Sequence, residues 1–182
     1  MKATAVIIAC LSVVLFSSCS EKDSLCHQEE SIEVLKASLT ESVVEQSDFL
    51  IREYGLQNIE DELEVLFTED KIQITRIGAM QTTVLDSMLV CTCSARITFK
   101  GEDEFLSFIA PKVSEAESSG DKYSRVYLKY KHLMEYSDKG YFPFFFSVFE
   151  TRENVSASAN DFKVGSILID YLRANQQFVD NH

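Results

Sequence analysis

The amino-terminal segment limits what this chain can fold into more than any other feature. It begins Met1-Lys2, continues as a mainly apolar run over 3–16, and turns charged at Glu21. The run is shorter than the roughly 20 apolar residues that a membrane-spanning helix needs. One basic residue, a short apolar run and small residues at 17–18 are typical of a cleaved secretory signal. We therefore expect residues 1–18 to be removed and to take no part in the fold.

The segment before the expected cut ends in a cysteine. Leu15-Phe16-Ser17-Ser18-Cys19 resembles the lipobox of bacterial lipoproteins, with Phe16 where an aliphatic residue is usual. The resemblance implies that Cys19 becomes the lipid-bearing amino terminus, that residues 19–25 are anchor and tether, and that the membrane is contacted through lipid. It places the protein in a bacterial cell envelope, on the outer membrane facing the periplasm, with surface display as an alternative. A plain secretory signal cut near Ser18 is the competing interpretation.

The chain is acidic, with a formal net charge of −12 that becomes −13 once Lys2 is removed. Such a surface repels nucleic acid and anionic lipid headgroups, so we expect no nucleic-acid partner. A basic protein or a cationic envelope component is the partner class that this charge attracts. Solubility alone is the alternative explanation of the acidity.

The remaining chain is long enough for one domain with its own core, which we place at 26–176, followed by a flexible tail at 177–182. Apolar residues recur at three- and four-residue steps from Cys26, which predicts an amphipathic helix that ends near Gly55. A short helical turn is expected over 58–64. A second amphipathic helix is predicted from about Asp161.

Strand patterns fill the middle of the chain. We predict strands over 72–83 and 89–99, joined by a turn at Asp86-Ser87, and a hairpin of strands 123–136 and 141–150. An apolar patch at 105–109 and a solvated loop at 114–122 separate these two pairs. The order predicts an α+β fold, in which an N-terminal amphipathic helix and a C-terminal helix pack on an antiparallel sheet of about four strands.

Three cysteines remain once Cys10 leaves with the signal and Cys19 is assigned to lipid. Cys91 and Cys93 lie on one face of the predicted strand, about 6.5 Å apart, so a bond between them would bend it. Cys26 is the expected partner of one of them. We favour a disulfide between Cys26 and Cys93, with Cys91 as a buried thiol, and the pairing with Cys91 stays open. A redox or metal role for the Cys-Thr-Cys sequence is the weaker alternative, because the helix-terminal CxxC geometry is missing.

No sequence pattern for catalysis, cofactor binding or metal binding is found. The histidines His27, His132 and His182 share no ligand spacing, and we interpret His132 as a sheet or core residue. No nucleophile elbow, P-loop or HExxH sequence occurs. Paired carboxylates such as Glu102 with Glu104, or Glu60 with Glu62, lie in charge runs that normally face solvent. We therefore predict a non-catalytic protein without a cofactor.

The segment Tyr141-Phe142-Pro143-Phe144-Phe145-Phe146 places aromatic residues on both faces of a predicted strand. If helices cover only one face, an aromatic patch is exposed, and such patches mark interaction sites. The candidate interaction surface is formed by Tyr141, Phe142, Phe144 and Phe146. Burial of the strand beneath a returning loop at 105–109 is the alternative.

These expectations favour a binding module that captures a protein or envelope ligand through an acidic or aromatic surface. In architecture and composition, the chain resembles small bacterial envelope lipoproteins, including immunity proteins that neutralise toxins. The resemblance implies no site residue. A structural or assembly subunit of an envelope complex is the alternative function, and an enzyme comes third. The sequence leaves the oligomeric state open.

Overall fold

The computed structural model describes residues 25–54, 58–85, 88–159 and 163–179, without the side chains of 46–54 and 176–179. Within these residues, a 3₁₀ turn at Leu25–His27 precedes five α-helices and a four-stranded antiparallel sheet. The helices are α1 (Glu29–Tyr54), α2 (Ile59–Thr68), α3 (Glu102–Ser118), α4 (Arg125–Lys139) and α5 (Lys163–Val179). The strands are β1 (Ile72–Leu85), β2 (Met88–Phe99), β3 (Phe142–Glu150) and β4 (Val155–Ala159). The predicted α+β class is confirmed. The expected signal segment, Cys19, the turn at 86–87 and residues 180–182 of the expected tail lie outside the described residues.

The sheet has the order β1-β2-β3-β4, so β2 and β3 are its central strands. The alternation predicted along β2 is present, since Cys93 and Ile97 are fully buried while Arg96 between them is exposed. The helices cover the face that carries Cys93. On the opposite face, Arg96 and Phe145 of β3 are exposed to solvent. The period of two in this stretch therefore identifies the core face of the sheet.

β1 is longer and less regular than its neighbour. Its pairing with β2 shifts register between Arg76 and Gly78 and again between Ala79 and Gln81. The extra residues, Ile77 and Met80, are 57% and 64% exposed. A bulge leaves one residue unpaired and breaks the alternation of faces, which explains why the strand pattern of this segment is weak in the sequence.

The predicted strand at 123–136 is wrong, because this segment is the helix α4. The Ser124 side chain accepts a hydrogen bond from the Tyr127 N–H at 3.1 Å, an N-cap of the usual kind. Gly140 has a positive φ of 69° and its N–H bonds the Tyr136 carbonyl, which makes it the C-terminal cap. The turn between the two strands of the predicted hairpin is therefore the end of a helix.

The segment predicted as an apolar patch followed by a loop is mostly helical as well. α3 runs through Pro111, which has no N–H to donate to the Ser107 carbonyl and so hides the helix in the sequence. Phe105 and Ile109 are fully buried at a four-residue spacing. Only the part of the predicted loop beyond Ser118 lies outside a helix.

β3 pairs with β2 on one side and with β4 on the other, rather than with 123–136. β4 was not predicted, because Ser156, Ala157 and Ser158 are small and lack the usual strand composition. The Thr151 N–H donates to the Asn154 carbonyl at 2.9 Å and closes the β3–β4 turn. The sheet thus keeps the expected number of strands with a different membership.

An aromatic cluster joins β2 to three helices. The rings of Phe99, Phe105, Tyr136 and Tyr171 contact one another, with centroids 4.1 Å apart for the stacked pair of Phe99 and Tyr171. The Phe99 N–H donates to the Tyr136 hydroxyl at 3.4 Å, and the Tyr171 hydroxyl donates to the Lys100 carbonyl at 2.9 Å. Burial raises the pKa of Tyr136 to about 12. The cluster fixes α3, α4 and α5 against the end of β2.

Candidate functional site

A groove of about 780 Å³ lies between α1 and α2. Both helices bury leucines in the common core, Leu35 and Leu39 from α1 and Leu63 from α2, so that their polar sides face outward. The walls of the groove come from these polar sides and from the turn that follows α2. Its lining residues are Glu33, Lys36, Ala37, Thr40, Glu41, Val44, Glu60, Glu64, Phe67, Thr68 and Asp70.

The groove is strongly acidic. Five carboxylates line it, those of Glu33, Glu41, Glu60, Glu64 and Asp70, against the single ammonium of Lys36, which gives a formal charge of −4. Lys36 is itself paired with Glu33 at 2.8 Å. The field in the groove is therefore negative and attracts cations.

The floor of the groove is apolar. Phe67 is buried, Val44 is half-buried, and the Lys36 Nζ lies 5.9 Å from the centre of the Phe67 ring. The long side chains of lysine and arginine need this combination, since their methylene stems pack on apolar surface while their charged ends meet carboxylates. Chemically, the groove is suited to binding basic side chains.

A second polar cluster is buried among α3, α4 and α5. Asp170 accepts a hydrogen bond from the Lys112 Nζ at 2.8 Å, and its other oxygen lies 3.0 Å from the His132 Nε2. Burial alone would raise the pKa of Asp170, but the hydrogen bond with His132 and the charge of Lys112 hold this pKa below its ordinary value. Arg173 adds a looser ion pair at 3.7 Å.

This buried cluster joins three helices through ion pairs. Each of its three central members comes from a different helix, so the cluster fixes how these helices pack together. His132 is a core residue, one of the two placements expected, but it lies in a helix. Asp170 and Lys112 were missed, although a charge inside the apolar run Ile167-Leu168-Ile169-Asp170-Tyr171-Leu172 is a readable signal.

The predicted aromatic interaction surface is largely wrong. Phe142, Phe144 and Phe146 are each at most 2% exposed, because they lie on the face of β3 that the helices cover. Tyr141 is half-buried with the Arg96 guanidinium 5.5 Å from its ring centre. The exposed aromatic residue of the segment is Phe145, at 48%. The alternative, burial, holds for the face of this strand that carries Phe142, Phe144 and Phe146, while the opposite face is partly exposed.

The cysteines form a compact cluster under the sheet. Cys26 and Cys93 form a disulfide, the favoured pairing, with their Cα atoms 5.6 Å apart. Cys91 is a buried thiol whose Sγ lies 2.9 Å from the Cys26 Sγ. Among the described residues, the three sulfurs are the one group of three or more metal-type ligands that converge, with every pair within 4.8 Å. The carboxylates of the acidic groove do not form such a set.

Comparison with known proteins adds no relative, since no protein family, curated protein or solved structure matches this chain. None of the helices in the described part of the chain combines the length and the apolar character that crossing a membrane requires.

Proposed function

We propose that this protein is a lipid-anchored binding module of the bacterial cell envelope that captures a basic protein ligand in the groove between α1 and α2. The observation that carries the proposal is the lining of the groove, in which five carboxylates and only one lysine surround an apolar floor. Basic side chains of a partner match both features. Neutralisation of an envelope toxin is one activity of this kind.

The charge of the whole chain supports the same partner class. A formal net charge of −12 steers a basic protein toward the surface before contact, and the groove then supplies short-range ion pairs. Because exposed ion pairs are screened over about 8 Å at physiological ionic strength, capture should weaken as salt is raised. Salt dependence is therefore the first signature of this binding mode.

The expected lipid at Cys19 would keep the domain close to the membrane. Leu25, where the described residues begin, is buried and lies six residues after Cys19, a stretch that spans at most about 20 Å. A Cys19→Ala variant should move from the membrane fraction to the soluble fraction. If it stays with the membrane, the lipid anchor is refuted while the groove proposal is left standing.

Charge reversal tests the groove. Glu60→Lys with Glu64→Lys should abolish salt-sensitive binding of a fluorescent arginine-rich peptide, measured by polarisation, and recovery of basic proteins from solubilised envelopes. The matched control is Glu115→Lys with Glu117→Lys on α3, which makes the same change of net charge at exposed positions outside the groove. Equal loss in both double variants would assign the binding to net charge alone and contradict the proposal.

A second candidate, an assembly subunit of an envelope complex, is favoured by the outer part of β1. Ile77, Met80, Val84 and Leu85 are each more than half exposed along this edge strand. Exposed apolar edges are the usual sites of strand pairing between chains. The aromatic strand β3 cannot serve this purpose with its edges, since it lies between β2 and β4.

Association through β1 would resist salt, whereas capture in the groove would not. Sedimentation of the wild type and of a Met80→Lys variant distinguishes the two functions. Salt-resistant oligomers that Met80→Lys disrupts, while Leu128→Lys on α4 does not, would favour the assembly subunit. A monomer at every salt concentration would contradict self-assembly through β1.

A further inference from the structure

Three cysteine side chains meet under the sheet, and the disulfide uses two of them. The sulfurs of Cys26, Cys91 and Cys93 all lie within 4.8 Å of one another and are all buried. We propose that they form a thiol–disulfide exchange centre, in which the bond from Cys26 moves between Cys93 and Cys91. The chain would then have two native disulfide isomers rather than one.

The attacking atom is already in contact with its target. The Cys91 Sγ lies 2.9 Å from the Cys26 Sγ, and Cys91 and Cys93 share the covered face of β2. Cys26 is held over both positions by its 3₁₀ turn. The Ser31 hydroxyl donates to the Leu25 carbonyl at 2.6 Å, and the Arg76 guanidinium donates to the His27 carbonyl. Exchange therefore needs little movement of either strand or turn.

The step is balanced without an outside reagent. The thiolate of Cys91 attacks the Cys26 Sγ, a new bond forms between these two sulfurs, and the bond from Cys26 to Cys93 breaks. Cys93 leaves with the bonding electron pair as a thiolate and takes up the proton that Cys91 lost. One disulfide and one thiol are present before and after, so nothing is oxidised or reduced overall.

Each isomer provides a polar neighbour for its thiol. While Cys93 is bonded, the Cys91 Sγ lies 3.5 Å from the Thr82 hydroxyl oxygen, which can accept its weak hydrogen bond. After exchange, the Cys93 thiol would face the Cys91 carbonyl oxygen, from which its sulfur is 3.6 Å away. Neither buried thiol would be left without an acceptor.

Cysteine variants test whether the second bond forms. In Cys93→Ala, we expect peptide mapping under non-reducing conditions to find Cys26 linked to Cys91, with circular dichroism like that of the wild type. In Cys91→Ala, the bond from Cys26 to Cys93 should persist. A folded Cys93→Ala protein in which Cys26 and Cys91 can both be alkylated after unfolding would overturn the proposal.

Trapping the wild type tests exchange itself and does not depend on the folding of a variant. The full chain is held at about pH 8.5, near the usual thiol pKa, then quenched in acid, unfolded and alkylated. Fragmentation between Cys91 and Cys93 shows which sulfur carried the label. We expect label on both, with none on Cys93 in the Cys91→Ala control. Label on Cys91 alone in the wild type would overturn the proposal.

Discussion

The disulfide between Cys26 and Cys93 should contribute strongly to stability, and substituting Cys26 removes it. It joins residues 67 apart in the sequence. In the chain-entropy treatment, a closed loop of this size restricts the unfolded chain enough to stabilise the fold by about 4 kcal/mol. For a domain of this size, that loss lowers the melting temperature by about 12 °C.

Three variants distinguish the stability that the disulfide provides from the effect of the proposed exchange. Cys26→Ala removes the shared partner and should lose the full amount. Cys93→Ala should lose only about 1 kcal/mol for the missing buried sulfur, because Cys91 closes a loop of 65 residues in its place. Cys91→Ala should resemble Cys93→Ala. Denaturant unfolding without reductant, followed by circular dichroism, measures all three.

Reductant provides the internal control. It should lower the free energy of unfolding of the wild type to about that of Cys26→Ala, and it should leave Cys26→Ala unchanged. A Cys26→Ala protein within about 1 kcal/mol of the oxidised wild type would refute the loop-closure reasoning. A Cys93→Ala protein as unstable as Cys26→Ala would instead refute the exchange alone.

Three further substitutions probe the buried polar groups and a helix cap. Asp170→Ala should cost about 3 kcal/mol in denaturant unfolding, because it leaves the buried His132 and the half-buried Lys112 without their carboxylate. Leu128→Ala on the exposed side of α4 should cost far less. Since the folded pKa of Asp170 is lowered, its contribution is present above the unfolded value near 3.8 and disappears as the pH falls through the folded pKa, so the variant should lose less stability than the wild type on acidification. The pKa of Tyr136 is raised to about 12, so stability should fall as the pH rises from 10 toward 12, and Tyr136→Phe should reduce this fall in alkaline titrations. Gly140→Ala should cost about 1 kcal/mol, because φ is +69° and the new Cβ would lie 3.0 Å from a Glu102 carboxylate oxygen, whereas Gly78→Ala, with nothing within 4 Å, should not share this penalty.

The sequence predicts correctly those elements in which the spacing of apolar residues follows a single period, that of a strand or that of a helix. β2 alternates because helices cover one of its faces, and α1 repeats every three or four residues because one side of it is buried. The pattern is misleading in α4. Its residues Val126, Leu128, Tyr130 and His132 alternate by chance with polar ones, which is why a strand was predicted there. Its caps at Ser124 and Gly140 were the stronger signal.

The sequence indicates that the protein surface is acidic, but it does not indicate where the carboxylates come together in a groove. Charge runs such as the one with Glu60 and Glu62 are expected to face solvent, and most glutamates of α1 and α2 are exposed. That two such sides form the walls of one groove depends on how α1 and α2 pack through Leu35, Leu39 and Leu63, a tertiary arrangement that no local pattern encodes. The same holds for Asp170, whose partners are 38 and 58 residues away in sequence.

The position of the disulfide determines how a pull from the proposed lipid anchor would reach the fold. If Cys19 carries the lipid, the chain between membrane and domain ends at Cys26, where a covalent bond transfers any pull directly to Cys93 in the second strand of the sheet. Without that bond, the pull would act on the 3₁₀ turn and α1, which hydrogen bonds and packing alone hold in place. Exchange to Cys91 would shift the attachment by two residues along β2 but would keep it on the same strand. The three sulfurs would then maintain the connection in either isomer, because Cys26 stays bonded to β2 at every stage of the exchange.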